Sequence, residues 1–206
     1  MSNIKTAPRK FRGKFRHMEM EQLQAATKLK LWDNEETVEE YALPIEALLL
    51  KEGPGLTKGI ARELLTTIGP ITLRTNNLSH IGPFRHALDF MVVDGTGVYA
   101  TRDGKVIEVV EKFDEYGSGP EYRDKLNYLT IAHSNGEFSQ YCHLEKLSVK
   151  KMGIKVSSFV QRGRQIGIVG KTGWTTGDHL HFIVFRNDPN PANPFGFKSL
   201  RVKFQK

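Results

Sequence analysis

Two histidines one residue apart, His179 and His181, are the first residues in this chain whose types and spacing point to chemistry. They sit at the head of the apolar run Leu180 to Phe185. A strand has a side-chain period of two, so both imidazoles face one way while Leu180 and Phe182 fall on the other face and can be buried. Two imidazoles close together on one rigid strand form half of a metal site. The stretch just before them, Gly170-Lys171-Thr172-Gly173-Trp174-Thr175-Thr176-Gly177, is a Gly-rich loop that suits close backbone approach to a ligand. Taken alone, the pair also fits two histidines on a solvated strand face, because a short motif is only a hypothesis.

Asp89 sharpens the reading. It lies inside the apolar run Ala87-Leu88-Asp89-Phe90-Met91-Val92-Val93. A buried carboxylate costs several kcal/mol unless it is paired, hydrogen-bonded or bound to a metal. Two histidines and one carboxylate, with a fourth position open to water, is a recurring catalytic zinc set. Among the seven histidines, His17 lies in a basic stretch and His133 precedes a turn, so both are expected at the surface. His80, His86 and His143 remain as partners for the pair. His86 directly abuts the strand of Asp89, and alternation turns it to the opposite face. In Tyr141-Cys142-His143 alternation puts Tyr141 and His143 on one face and Cys142 on the other, which argues against a Cys142–His143 nucleophilic pair. Cys142 is the single cysteine, so neither an intramolecular disulfide nor a cysteine-based zinc cluster is available.

The elements that must position these residues are mostly strands. From about residue 71, short β-rich runs alternate with Gly, Asn and Asp turns: 87–93, 97–101, 105–110, 127–132, 138–144 and 165–169. Arg102-Asp103-Gly104 between two of them reads as a hairpin turn. The fold class expected is mainly β, an antiparallel β-sandwich or partly open barrel. Three segments follow: a basic arm over 1–16, a helical N-terminal extension over 17–70, and the β-rich domain over 71–206. Within the extension, Glu19 to Trp32 has helix-forming composition, Asp33 to Glu40 could cap a short second helix, and Leu56, Ile60, Leu64 and Ile68 recur at helical spacing. At 39% hydrophobic residues the chain can bury a core, and its net charge of +7 leans towards an acidic partner. The arm interleaves Arg and Lys with Phe11 and Phe15 and could lie on an anionic polymer or membrane surface. No specific nucleic-acid partner is expected. Neither a secretory leader nor a membrane-spanning run is read from the sequence.

Several ordered segments then resemble a known family. Ser79-His80, Ala87-Leu88-Asp89-Phe90, Asp94 to Gly104, Asn127-Tyr128, Tyr141-Cys142-His143-Leu144, Val160 to Gly167 and Gly170 to Phe182 together resemble the M23 (lysostaphin/LytM-type) zinc metallopeptidases. The resemblance covers residues 75–195. It implies one zinc ion, with His181 and Asp89 as ligands and His179 and His143 as catalytic histidines that do not ligate. Many members carry His-x-x-x-Asp, but the position four before Asp89 is Arg85, which cannot ligate. A subset places this histidine further upstream, which here gives His80 and leaves His86 out of the site. Tyr141 and Trp174 are the expected walls of a substrate groove.

The function implied is a zinc-dependent endopeptidase acting on the short peptide cross-links of peptidoglycan, or on another extended peptide, through a metal-activated water. The alternative is a degenerate, non-catalytic peptidoglycan-binding or scaffold module.

Overall fold

The computed structural model describes residues 33–45, 73–74 and 80–205. The basic arm and the helices expected over Glu19 to Trp32 and around Leu56 to Ile68 lie outside the described residues. The described part is mainly antiparallel β. Its largest sheet runs in the order β1 (Leu73–Arg74), β2 (Leu88–Phe90), β11 (Leu180–Asn187), β7 (Glu137–Cys142), β6 (Tyr128–Ala132), β4 (Gly104–Val110) and β8 (Phe159–Val160), with β12 (Phe197–Ser199) also on β11. Two small sheets complete it: β3 (Gly97–Tyr99) with β9 (Gln165–Ile168), and β5 (Tyr116–Gly117) in parallel with β10 (Gly173–Trp174). None of the sheets closes on itself. One short helix, α1 (Ser148–Lys151), follows β7.

The longest strand, β11, organises the rest. One edge pairs with β7 from His181 to Arg186. The other edge is shared, β2 pairing with Leu180 to Phe182 and β12 with Phe185 to Asn187. Its alternation separates two cores. Leu180, Phe182 and Val184 join Leu88, Phe90, Tyr141, Val98 and Ile166 on one face. Ile183 and Phe185 join Ala87, Phe138 and Phe197 on the other. A strand buried on both faces reads as a near-continuous apolar run, as β11 does.

Three sequence expectations are corrected. Asp33 to Glu40 is irregular rather than helical, with an isolated bridge from Glu36 to Arg201. Its backbone bonds go to the far end of the chain: Thr37 N donates to Arg201 O (2.9 Å), Tyr41 N to Lys203 O (2.8 Å) and Arg201 N to Glu35 O (2.8 Å). Tyr41 and Ile45 are buried in the main core beside Leu200 and Phe204. Arg102-Asp103-Gly104 does not close a hairpin either, since β3 pairs with β9 while β4 pairs with β6 and β8. Gly104 serves close approach instead: a Cβ there would collide with the Ile131 side chain and the Ala132 carbonyl. His133, expected at the surface, is 3% exposed. Its Nδ1 donates to the Asp103 carbonyl (2.8 Å) and its Nε2 lies 2.9 Å from Ser139 Oγ.

Candidate active site

The β2–β11 ladder sets Asp89 and His181 directly opposite each other, and the β7–β11 ladder does the same for His181 and Cys142. The face opposite Phe90 and Phe182 therefore carries a carboxylate beside an imidazole. His80 reaches them from ahead of the 3-10 turn Gly82–Phe84. Its Nε2 lies 3.1 Å from Asp89 Oδ1 and 3.3 Å from His181 Nδ1, and His181 Nδ1 lies 2.9 Å from Asp89 Oδ1. His80 and Asp89 are buried, with 6% and 1% exposure.

These three atoms are candidate metal ligands. A tetrahedral zinc centre with bonds of about 2.0–2.1 Å has ligand-to-ligand edges of roughly 3.3 Å. The observed separations of 2.9–3.3 Å match that size closely. Two imidazole nitrogens and one carboxylate oxygen are also a donor set that zinc favours. The residues present thus fit such an ion and leave a fourth position without a protein ligand from this group.

His86 points elsewhere. Its Nε2 is 2.9 Å from the Asp33 carbonyl and its backbone N donates to Ser199 Oγ. It lines a shallow notch with Arg85, Lys198 and Asp33.

The remaining two histidines stand beside the trio. His179 Nε2 is 3.8 Å from Asp89 Oδ1, on the same side as His181 as strand alternation requires. The rings of His143 and His179 are 4.4 Å apart, and those of His143 and His181 6.2 Å. His143 reaches this face by breaking alternation, which corrects the sequence reading. Tyr141 faces the core, and a regular strand would send His143 after it. Instead β7 ends at Cys142 and His143 takes a left-handed backbone, φ 63°.

Both of these imidazoles are tied down by carbonyls of the Gly-rich loop. His143 Nδ1 is 2.7 Å from the Thr172 carbonyl, and His179 Nδ1 is 2.9 Å from the Gly177 carbonyl. A carbonyl can only accept, so each Nδ1 bears a hydrogen, and in the neutral ring the free lone pair is on Nε2. Thr175 Oγ1 also donates to the Gly177 carbonyl (2.7 Å) and lies 3.4 Å from His179 Nδ1. The loop is pinned at its ends by Lys171 with Asp178 (3.1 Å) and by Asp94 N with Asp178 Oδ2 (3.2 Å). Sequence reasoning missed Thr172, Thr175 and Asp178: Thr172 reaches His143 through a backbone carbonyl, which leaves no mark on residue type, and the side chains of Thr175 and Asp178 bond the loop itself.

The electrostatics follow from burial and crowding. Burial works to raise the Asp89 pKa, but hydrogen bonds from His181 and His80 override it and hold the carboxyl well below its usual range. Burial lowers His143 to about 3, helped by the neighbouring His179 and His181. Burial also lowers His181, against the pull of Asp89. Asp89 therefore rests ionised beside the neutral imidazoles of His143 and His181.

The two expected groove residues part company. Tyr141 is wholly buried, its hydroxyl bonded to Thr101 N, Thr101 Oγ1 and Ser139 Oγ. A side chain with no exposed surface cannot touch a substrate, so Tyr141 is a core residue. Trp174 is half-buried, its indole N–H donating to the Ser118 carbonyl (2.7 Å) and its ring under Arg123.

Comparison with known proteins adds the decisive observation. The model of peptidase family M23 matches residues 83–194, more than half of the chain. The chain belongs to peptidase family M23. The matched stretch holds Asp89, His143, His179 and His181 and starts downstream of His80, which the fold brings to the trio. Among M23 relatives, the peptidoglycan DD-endopeptidase ShyB of Vibrio cholerae is 42% identical over 50% of this chain and 21% of its own length. The glycyl-glycine endopeptidase ALE-1 of Staphylococcus capitis is 36% identical over 55% of this chain and 26% of its own. A crystal structure of a zinc containing peptidase from Vibrio cholerae aligns with a TM-score of 0.44 and 27% identity, covering 71% of this chain and 36% of that one. The chain thus spans about a quarter or less of the curated M23 relatives' length.

Proposed function

We propose that this chain is a zinc-dependent M23 endopeptidase that hydrolyses short peptide cross-links of peptidoglycan. The observation that carries the reading is the meeting of His80 Nε2, Asp89 Oδ1 and His181 Nδ1 within 3.3 Å of one another, with His143 and His179 alongside. Peptidoglycan as substrate rests on what the relatives are named for.

His80, Asp89 and His181 would hold the ion. Zinc bound there would polarise a peptide carbonyl and lower the pKa of water at the site. The chain's own residues do the remaining work. Asp89 stays ionised and neutralises part of the added charge. His143 and His179 both stand beside the trio; one takes the proton of the attacking water on Nε2, and the imidazolium so formed stabilises the developing oxyanion. The same histidine returns that proton to the departing amine. Trp174, held by the Ser118 carbonyl and packed under Arg123, would wall the substrate groove.

Digestion of defined muropeptide dimers, with and without a chelator, followed by mass analysis of the products tests this. Cleavage at one amide bond that stops on chelation and returns with added zinc is expected. Cleavage that survives full removal of metal would overturn it. The alternative of a non-catalytic module requires stoichiometric protein that binds muropeptides without cutting them.

A further inference from the structure

We infer that Asn127 and Thr172 are positioning residues that hold His143 in one tautomer and one backbone conformation. This rests on the reading of His143 as a proton-carrying histidine. The ring of His143 is fixed through its Nδ1–H to the Thr172 carbonyl at 2.7 Å. That carbonyl belongs to a glycine-rich loop, which would be a poor anchor if nothing braced it.

The brace is a buried hydrogen-bond network. Thr172 is 4% exposed; its Oγ1 donates to the Leu144 carbonyl (3.0 Å) and accepts from Asn127 N (3.1 Å). Asn127 is fully buried and its amide is spent on backbone. Nδ2 donates to the Phe113 carbonyl (2.8 Å) and the Leu144 carbonyl (3.2 Å), and Oδ1 accepts from Phe113 N (3.0 Å). Leu144 N in turn donates to the Asn127 carbonyl (3.3 Å). Leu144 directly follows His143, and Gly170 N bonds the His143 carbonyl itself (2.8 Å).

The network therefore bears on His143 twice. It holds the acceptor that orients the ring, and it fastens the peptide that leaves His143 in the left-handed region. Residues other than glycine are disfavoured in that region, so it persists only where neighbours over-determine it. If His143 relaxed to a strand conformation, alternation would aim its imidazole after Tyr141 into the core. Buried polar groups are hydrogen-bonded in any fold, so satisfaction alone proves no role. The telling point is convergence: Thr172 Oγ1 and Asn127 Nδ2 both donate to the Leu144 carbonyl, one residue from His143, while the carbonyl of the same Thr172 takes the His143 Nδ1–H.

The test uses the full chain loaded with zinc and a muropeptide dimer as substrate. Nitrogen-15 NMR of His143 in the unaltered protein should report the hydrogen on Nδ1; a hydrogen on Nε2 overturns the proposal without any variant. Thr172→Val keeps the carbonyl and the volume but removes the hydroxyl. It should retain zinc and KM, lose about 10- to 100-fold in kcat through misplacement, and show a mixed His143 tautomer. Thr172→Ser, which keeps the hydroxyl, should stay near the parent in both readouts. A Thr172→Val protein with parental kcat and an unchanged His143 spectrum overturns the proposal. His143→Ala separates the two levels: if it retains full turnover, the reading of His143 itself fails, whereas an inactive His143→Ala beside a fully active Thr172→Val sinks only the positioning role.

Discussion

Asp89 and His181 are cross-strand partners whose side chains meet, Oδ1 to Nδ1, at 2.9 Å. The contact is made by the backbone ladder rather than by a flexible loop. A slip of one residue between β2 and β11 would send Asp89 or His181 into the apolar core, so the site inherits the register of the sheet. His80, by contrast, arrives from outside any strand.

The first prediction concerns that asymmetric corner. His80→Ala should lose tight zinc binding and activity, because a three-ligand site has little redundancy. His86→Tyr should keep both, since His86 bonds Asp33 and not the trio. Metal content of the two purified variants after dialysis decides it; zinc lost from His86→Tyr and kept in His80→Ala would reverse the choice.

His181 and its neighbour two residues earlier should fail differently. His181→Ala removes a ligand and should purify without zinc. His179→Ala should keep zinc and lose about 10²- to 10⁴-fold in rate through missing proton transfer. Equal metal content in the two variants would refute this division.

A third prediction is a pH effect on stability carried by His133. Burial lowers its pKa from 6.5 to about 4 in the fold. The unfolded chain then binds a proton first as pH falls, so stability is intact above 6.5 and is lost towards about 4. The loss is on the order of 3 kcal/mol at most. Denaturant titrations across this window should show a shallower decline for His133→Gln than for the parent. An identical slope would rule out His133 as the source.

The two N-terminal segments should differ in importance. Deleting residues 1–16 should leave turnover of a soluble peptide within about threefold, under ~1 kcal/mol on the barrier. Deleting residues 1–45 also removes Tyr41 and Ile45 from the core, at roughly 2–5 kcal/mol each. It further strips Glu137 of its bonds from Tyr41 Oη (2.8 Å) and Val38 N (2.7 Å). Thermal melts of the two truncations, compared with the full chain, check this; equal melting temperatures would remove residues 33–45 from the folding unit.

The histidines and the strands were legible in the sequence for different reasons. Strand runs around Leu88, Val106, Leu129, Phe138 and Leu180 announced themselves by β-rich composition, and alternation placed His179 with His181 and turned His86 away. Alternation failed at His143, because a left-handed residue at a strand end is set by its hydrogen-bond partners and not by its own type. The same limit hid residues 33–45, whose acidic run looks like a helix start until Arg201 and Lys203 supply its backbone partners. Tyr141 was misjudged because motif position says nothing of depth. The hairpin signal at Arg102-Asp103-Gly104 misled because Gly104 answers a steric demand from β6 rather than a turn.

The bridges of Glu36 to Arg201 and Tyr41 to Phe204 bear on how the chain is made. A ribosome delivers residue 41 long before residue 204. Tyr41 must wait, with its apolar ring uncovered, until the strand beside it has emerged. A contact across that sequence separation is slow to form, because loop closure precedes its reward. The sheet carrying Asp89 and His181 can assemble earlier, from residues 88–187, leaving the clasp between the two flanks as the final step. Such an order would let a nascent chain carry a nearly complete histidine cluster while its core stays open to water.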